Sequence, residues 1–242
     1  MVRTAFLLLC FLPGLASADE AAIRRVVESK LGGAKIEGIQ PAPIPGLYEV
    51  RYRAQEGTQI FYTDANANYF LLKPTLIEAK SGRNLTQERL NKLNAINFDS
   101  LPLSQAVKIQ RGSGKRVLAM FSDPHCPYCI RFEKALQQVD DITIYVFMFP
   151  VIHPELTDQS KAVWCSPDRA KAWLDLALRG KLPTAVASCD TPIEKNLELG
   201  HQLHVSATPT IILSNGEKVA GAIGADDLRQ LLDGALAQAK TR

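Results

Sequence analysis

The sequence predicts two folded parts: a small α+β unit near the amino terminus and a larger α/β unit, a mixed sheet with a helical insertion, joined by a solvated helix. Three observations carry this. Residues 47–53 alternate, with Tyr48, Val50 and Tyr52 on one side and Glu49, Arg51 and Arg53 on the other, as a half-buried strand does. The apolar run at 117–121 ends at Cys126-Pro127-Tyr128-Cys129, runs into a helical pattern, and is followed by a second apolar run at 142–149. Finally, residues 210–213 and 217–220 flank Asn215-Gly216, a pair that tolerates positive φ, and read as a hairpin ahead of a closing helix with Leu228, Leu231, Leu232 and Ala235.

At the start of the chain, Arg3 precedes the apolar block 6–12, and Ala16-Ser17-Ala18 has the small-x-small form of a cleavage site. Residues 1–18 are therefore expected to be a secretory signal, with the mature chain starting near Asp19. The block is too short to span a bilayer. Of the five cysteines, Cys10 falls in this leader, and Leu9 before it departs from a lipoprotein signal. Four cysteines remain, an even number suited to an oxidising compartment. Lys and Arg total 28 against 25 Asp and Glu, with no basic tract, so nucleic acid is not an expected partner.

Ile23, Val26, Val27 and Leu31 repeat at helical spacing from about Ala21, and Gly32-Gly33 should end that helix. Residues 47–53, 59–63 and 69–72 read as strands, the last two joined through the turn-rich 64–68. One helix on so small a sheet has a marginal core, so residues 19–82 are expected to gain by association with a second copy. In 87–97 only Leu90, Leu93 and Ile96 are apolar, a thin stripe that suits a linker helix within 83–100.

The catalytic unit is expected over 101–242. Residues 117–122 and 142–149 make a strand, helix, strand order, which implies a parallel pair with a right-handed crossover. Ser166-Pro167 should open a helix carrying Ala170, Trp173, Leu174, Ala177 and Leu178 and ending at Gly180, and Thr191-Pro192-Ile193-Glu194 reads as a capping box for another.

Pro127 suits the first turn of a helix, which puts Cys126 where backbone N–H groups and the helix dipole favour an anion. The Cys126 thiol should therefore ionise more readily than a free cysteine, with Cys129 one turn on to close a ring with it. Zinc would need a second ligand pair, and Cys165 and Cys189 stand far apart; haem attachment would need His after the second Cys, where Ile130 stands. A structural disulfide within Cys126-x-x-Cys129 closes too small a loop to restrict the unfolded chain. A redox pair, with neither metal nor cofactor, is the reading that remains. Of the four histidines, His125 alone adjoins the nucleophile and is a candidate to help hold its thiolate; His153, His201 and His204 are expected to be bystanders.

This order of elements, with residues 121–129, Ala162-Val163-Trp164-Cys165, and Val205-Ser206-Ala207-Thr208-Pro209-Thr210 followed by Leu213-Ser214-Asn215-Gly216, resembles the thioredoxin fold and, over the whole mature chain, the periplasmic DsbC/DsbG thiol:disulfide interchange proteins. The resemblance implies a disulfide isomerase or reductase with Cys126 and Cys129 catalytic. It also implies a cis Thr208–Pro209 bond facing the sulfurs, with Tyr128, Thr208 and Pro209 contacting substrate, and a structural Cys165–Cys189 disulfide. It further implies a homodimer made by the amino-terminal domain, chaperone-like binding of misfolded or mis-oxidised proteins, and a DsbD-type membrane reductant. Pro127-Tyr128 between the cysteines is closer to DsbG, which keeps open a reductase of sulfenylated cysteines, while the second cysteine pair is closer to DsbC. A redox-silent chaperone is the remaining alternative. Thioredoxins place a buried Asp six positions before the first Cys, where this chain has Met120.

Overall fold

A computed structural model describes residues 15–30, 35–55 and 57–239. The expected signal up to residue 14, Cys10, and the Gly32-Gly33 stop lie outside the described residues. The chain forms two compact units, one up to Leu90 and one from Asn91.

In the first unit, helix α1 (Leu15–Lys30) precedes strands β1 (Ile36–Pro41), β2 (Leu47–Ala54), β3 (Gly57–Asp64) and β4 (Phe70–Leu71), which form one antiparallel sheet in that order. Helical spacing turns Ile23 and Val27 of α1 onto Ile39, Val50 and Phe61 of the sheet, and Phe70 closes edge-on to Phe61 at 5.5 Å. Strand β1 is an addition to the sequence reading. Its Gly38 and Pro41 weaken the strand signal, yet an edge strand accommodates both. The register shifts at Gly38, where a Cβ would stand 2.1 Å from Arg51 Nη2.

The helix expected over 87–97 is α2 (Leu85–Leu93), shorter and earlier. Asn97 stops any continuation by accepting the Asp99 N–H and capping a separate 3₁₀ turn, Phe98–Ser100. Thr86 is the one buried residue of α2, while Leu90 and Leu93 of the thin apolar stripe are half-buried. Within the first unit, Arg89 Nε donates to buried Glu49 Oε1 at 3.0 Å, and Arg89 Nη2 to Gln40 Oε1 at 3.2 Å.

The second unit holds a five-stranded sheet in the order β5-β7-β6-β8-β9: β5 (Val107–Arg111), β6 (Arg116–Ser122), β7 (Ile142–Met148), β8 (Thr210–Leu213) and β9 (Lys218–Ala220). Only the β6–β7 pair is parallel, as the crossover through α3 (Pro127–Leu136) demands. Helices α4 (Thr157–Cys165), α5 (Arg169–Arg179) and α6 (Ile193–Gln202) fill the insertion, and α7 (Ala225–Ala239) closes the chain. One face of the sheet packs Leu118, Met120 and Ile144 against Phe132, Trp173, Leu228 and Leu232; the other packs Phe121 on Phe147, stacked at 5.1 Å, with Phe149 and Ile212. Burial on both faces explains why β6 and β7 read as continuous apolar runs.

Two local expectations need correction. Helix α5 is capped by Asp168, whose carboxylate accepts the Lys171 N–H at 2.9 Å, not by Ser166-Pro167. No capping box opens α6: Pro192 holds the N-cap position and no side chain caps the helix. The Asn215-Gly216 turn forms as expected, and Gly216 (φ 88°) also lets the Ile96 main chain approach, its N–H meeting the Gly216 carbonyl at 2.8 Å. A Cβ there would lie 2.2 Å from Ile96 O.

Candidate active site

Strand β6 runs out at Ser122, and the turn Asp123-Pro124-His125 carries the chain to Cys126, the extended N-cap of α3, with Pro127 in the first helical turn. Pro127 lacks an N–H that would have no helical partner, so it starts the helix without loss. The Cys126 carbonyl accepts the Ile130 N–H at 3.0 Å, as an N-cap carbonyl does.

From the other side comes the segment before β8. Its Thr208–Pro209 bond is cis, and the Cys126 thiol donates to the Thr208 carbonyl at 3.4 Å. The Pro209 carbonyl is taken by the Gly221 N–H at 2.8 Å, which ties this segment to the end of β9. Cys126, Cys129, Thr208 and Pro209 are thus brought together from two stretches about eighty residues apart. Tyr128, between the cysteines, is 58% exposed, with the Arg131 guanidinium over its ring at 5.0 Å.

The two free thiols differ sharply. Burial pushes the Cys126 thiol up, but the Thr208 side chain, the Cys129 backbone N–H and thiol, and the Tyr128 backbone N–H together outweigh it and hold Cys126 below the ordinary cysteine value. Burial dominates at Cys129: it lies deeper, and with the neighbouring Cys126 charge its thiol is pushed up to about 12 against opposing contacts from Ser122 and the Asp123 N–H. A thiolate is the nucleophile in exchange, so the lowered Cys126 thiol is the one suited to attack, while the raised Cys129 thiol stays protonated at neutral pH.

Cys165, the last residue of α4, is bonded to Cys189 at 2.06 Å across a separation of 24 residues. The histidines do not form a constellation. The His125 ring stands 6.2 Å from that of His153, which pairs with Glu155 at 3.0 Å, and His201 lies edge-on to Phe149. Among the described residues no group of three or more His, Cys, Asp or Glu could hold a metal, and no helix is long and apolar enough to cross a membrane.

Two buried acids of the second unit escaped the sequence reading. Asp123 is fully enclosed and Glu133, in α3, nearly so. For Glu133 the signal was its place one turn beyond Cys129, beside Phe132 on the face that packs inward. Its Oε1 accepts the Trp173 indole N–H at 2.6 Å. Where thioredoxins have their buried Asp, Met120 is a fully buried core residue.

Comparison with known proteins adds to this geometry. Residues 14–87 match the disulfide bond isomerase protein N-terminal domain, and residues 103–236 match the thioredoxin-like domain. The probable thiol:disulfide interchange protein DsbC of Bordetella parapertussis is 39% identical over 211 residues, 87% of this chain and 73% of the relative. Thiol:disulfide interchange protein DsbC of Escherichia coli K12 is 30% identical over 234 residues, 94% of this chain and 93% of the relative. Among solved structures, a disulfide interchange protein from Neisseria gonorrhoeae aligns with a TM-score of 0.54 at 37% identity, covering 56% of this chain and 99% of that one.

Proposed function

This chain belongs to the DsbC family of thiol:disulfide interchange proteins and is a disulfide isomerase, and on that premise we propose that Cys126 and Cys129 are its exchange pair and that it reshuffles wrong disulfides in the periplasm. The observation that supports this most is the opposite displacement of the two thiols at the amino end of α3.

The Cys126 thiolate attacks one sulfur of a substrate disulfide; the new S–S bond joins enzyme to substrate, and the other substrate sulfur leaves as a thiolate. Isomerisation follows when a substrate thiolate, either the one just freed or one freed by its attack on a further substrate disulfide, attacks the substrate sulfur of the mixed disulfide, forming a new substrate S–S bond and releasing the Cys126 thiolate unchanged. Reduction follows when Cys129 loses its proton and attacks Cys126, leaving substrate reduced by two electrons and Cys126–Cys129 oxidised. Burial alone still raises the Cys129 thiol once Cys126 is bonded to substrate, which disfavours the second route at neutral pH and leaves the mixed disulfide time to rearrange. Tyr128, Thr208 and Pro209 contact the substrate chain, an extended segment meeting the Thr208 main chain.

The domain assignment is a signal over 1–18, a dimerisation domain over 19–82, a linker helix over 83–100 and the catalytic domain over 101–242, with Cys165–Cys189 structural. The dimer is supported by the edges of the first sheet. β4 is two residues long, and Tyr69, Leu71 and Leu72 around it are exposed. An apolar edge of this kind pairs readily with a second copy. Chaperone-like binding of misfolded or mis-oxidised proteins and reduction by a DsbD-type membrane protein complete the reading. Pro127 between the cysteines favours, as a second reading, reduction of sulfenylated cysteines by the same thiolate, with water leaving in the first step.

The test is capture of the intermediate. Cys129→Ser should accumulate mixed disulfides with substrate and Cys126→Ser should form none; mixed disulfides through Cys129 in the Cys126→Ser protein would overturn the assignment.

A further inference from the structure

Asp123 is fully buried, yet none of the exchange chemistry uses its carboxylate. A carboxylate out of water is costly unless donors replace its hydration. Here they do. Oδ1 accepts the His125 N–H at 2.8 Å, and Oδ2 accepts the N–H groups of Val151 and Ile152, each at 2.8 Å. The first of these is an Asx turn, which bridges Pro124, a residue with no N–H of its own to anchor the bend. The main chain of Asp123 is engaged as well: its carbonyl accepts the Cys126 N–H at 3.2 Å.

One residue therefore touches the backbone of the nucleophile and the segment after β7. That segment stands beside the site, since the His153 ring next to Ile152 reaches to 6.2 Å from the His125 ring. Val151 and Ile152 expose their apolar side chains there.

We propose that Asp123 is a positioning residue for disulfide exchange: its carboxylate fixes where the Cys126 sulfur meets the amino end of α3 and where the apolar Val151-Ile152 lip stands beside it, an inference that rests on the isomerase reading above. Three N–H groups need both carboxylate oxygens. Asparagine offers one acceptor oxygen and an NH2 group that cannot accept, so at least one of the three donors is left unpaired.

The experiment is Asp123→Asn in the full mature protein, read by the pH dependence of Cys126 alkylation. The sign separates two mechanisms. Removing a negative charge from the neighbourhood lowers the midpoint, whereas loss of the geometry raises it. The expected result is a rise of about one pH unit, with about tenfold slower alkylation below the midpoint and slower reshuffling of scrambled substrate. Leu232→Ala, in the core under α7, is the control: it should lower thermal stability and leave the Cys126 midpoint in place. An unchanged or lowered midpoint in folded Asp123→Asn protein, or an equal rise in Leu232→Ala, overturns the proposal. Should Asp123→Asn fail to fold, hydrogen exchange at the Val151 and Ile152 amides of the unchanged protein decides: strong protection is expected, and rapid exchange contradicts it. Failure of the unchanged protein to reshuffle substrate would remove the isomerase reading, while the dependence of the Cys126 midpoint on Asp123 would still be read.

Discussion

At the scale of single residues, Glu133 is where pH should act on the fold. Burial raises its carboxyl to about 7 from an ordinary 4.5, with the Trp173 hydrogen bond and the Arg111 charge pulling only part of the way back. The folded state therefore prefers the protonated acid. Its contribution to stability is fully present below about pH 4.5 and is lost as pH rises through about 7, a change of roughly 3 kcal/mol. Glu133→Gln keeps an oxygen for the Trp173 N–H and removes the titration. Denaturant unfolding at about pH 4 and about pH 8 should show wild type losing roughly 3 kcal/mol relative to the variant; parallel pH dependence would show that Glu133 is not held as described. The sequence made Cys126 and Cys129 visible because a thiol pair at a helix start has few other uses. It hid Asp123 and Glu133, because an acid is normally solvated and only the folded surroundings reveal that its partners come from residues 28 and 40 positions away.

At the scale of elements, the Cys165–Cys189 bridge closes a loop of 24 residues that includes all of α5. Cross-linking such a loop removes unfolded-state entropy worth about 3 kcal/mol. Replacing both residues by Ala should lower the unfolding free energy by about that amount while leaving Cys126 alkylation unchanged, checked by denaturant unfolding alongside thiol trapping. A loss of Cys126 reactivity would mean that the bridge shapes the site as well as the fold. Elements with a strong period were legible from sequence: the two-sided apolar runs of β6 and β7, the alternation of β2, the inward face of α5. Those missed were short edge strands. In β5, Val107 and Ile109 alternate with Lys108 and Gln110 over only five residues, and in β1 Gly38 and Pro41 mask the pattern. Helix starts were misplaced where a cap other than the expected one prevailed, as Asp168 does at α5.

At the scale of the whole molecule, the two units carry separate cores, so they should part without unfolding each other. A fragment beginning at Leu101 should be a folded monomer that retains a reactive Cys126 but loses isomerisation and is oxidised more readily, because access to the thiol is no longer limited by the partner copy. Sedimentation of the fragment beside the mature chain checks this, and a dimeric fragment or a monomeric mature chain at micromolar concentration would be against it. The domain order itself was legible because each unit keeps its own apolar pattern, while the dimer was inferred from a sheet too small to stabilise one copy.

On the proposed mechanism the Cys126 thiolate reshuffles disulfides rather than only forming them. The most direct measurement of this is recovery of activity by a scrambled multi-disulfide protein incubated with the mature chain or with its Cys126→Ser variant in a glutathione buffer. The mature chain should restore the substrate and Cys126→Ser should not. Equal recovery with both, or a mature chain that oxidises reduced substrate while leaving scrambled substrate untouched, would contradict the claim.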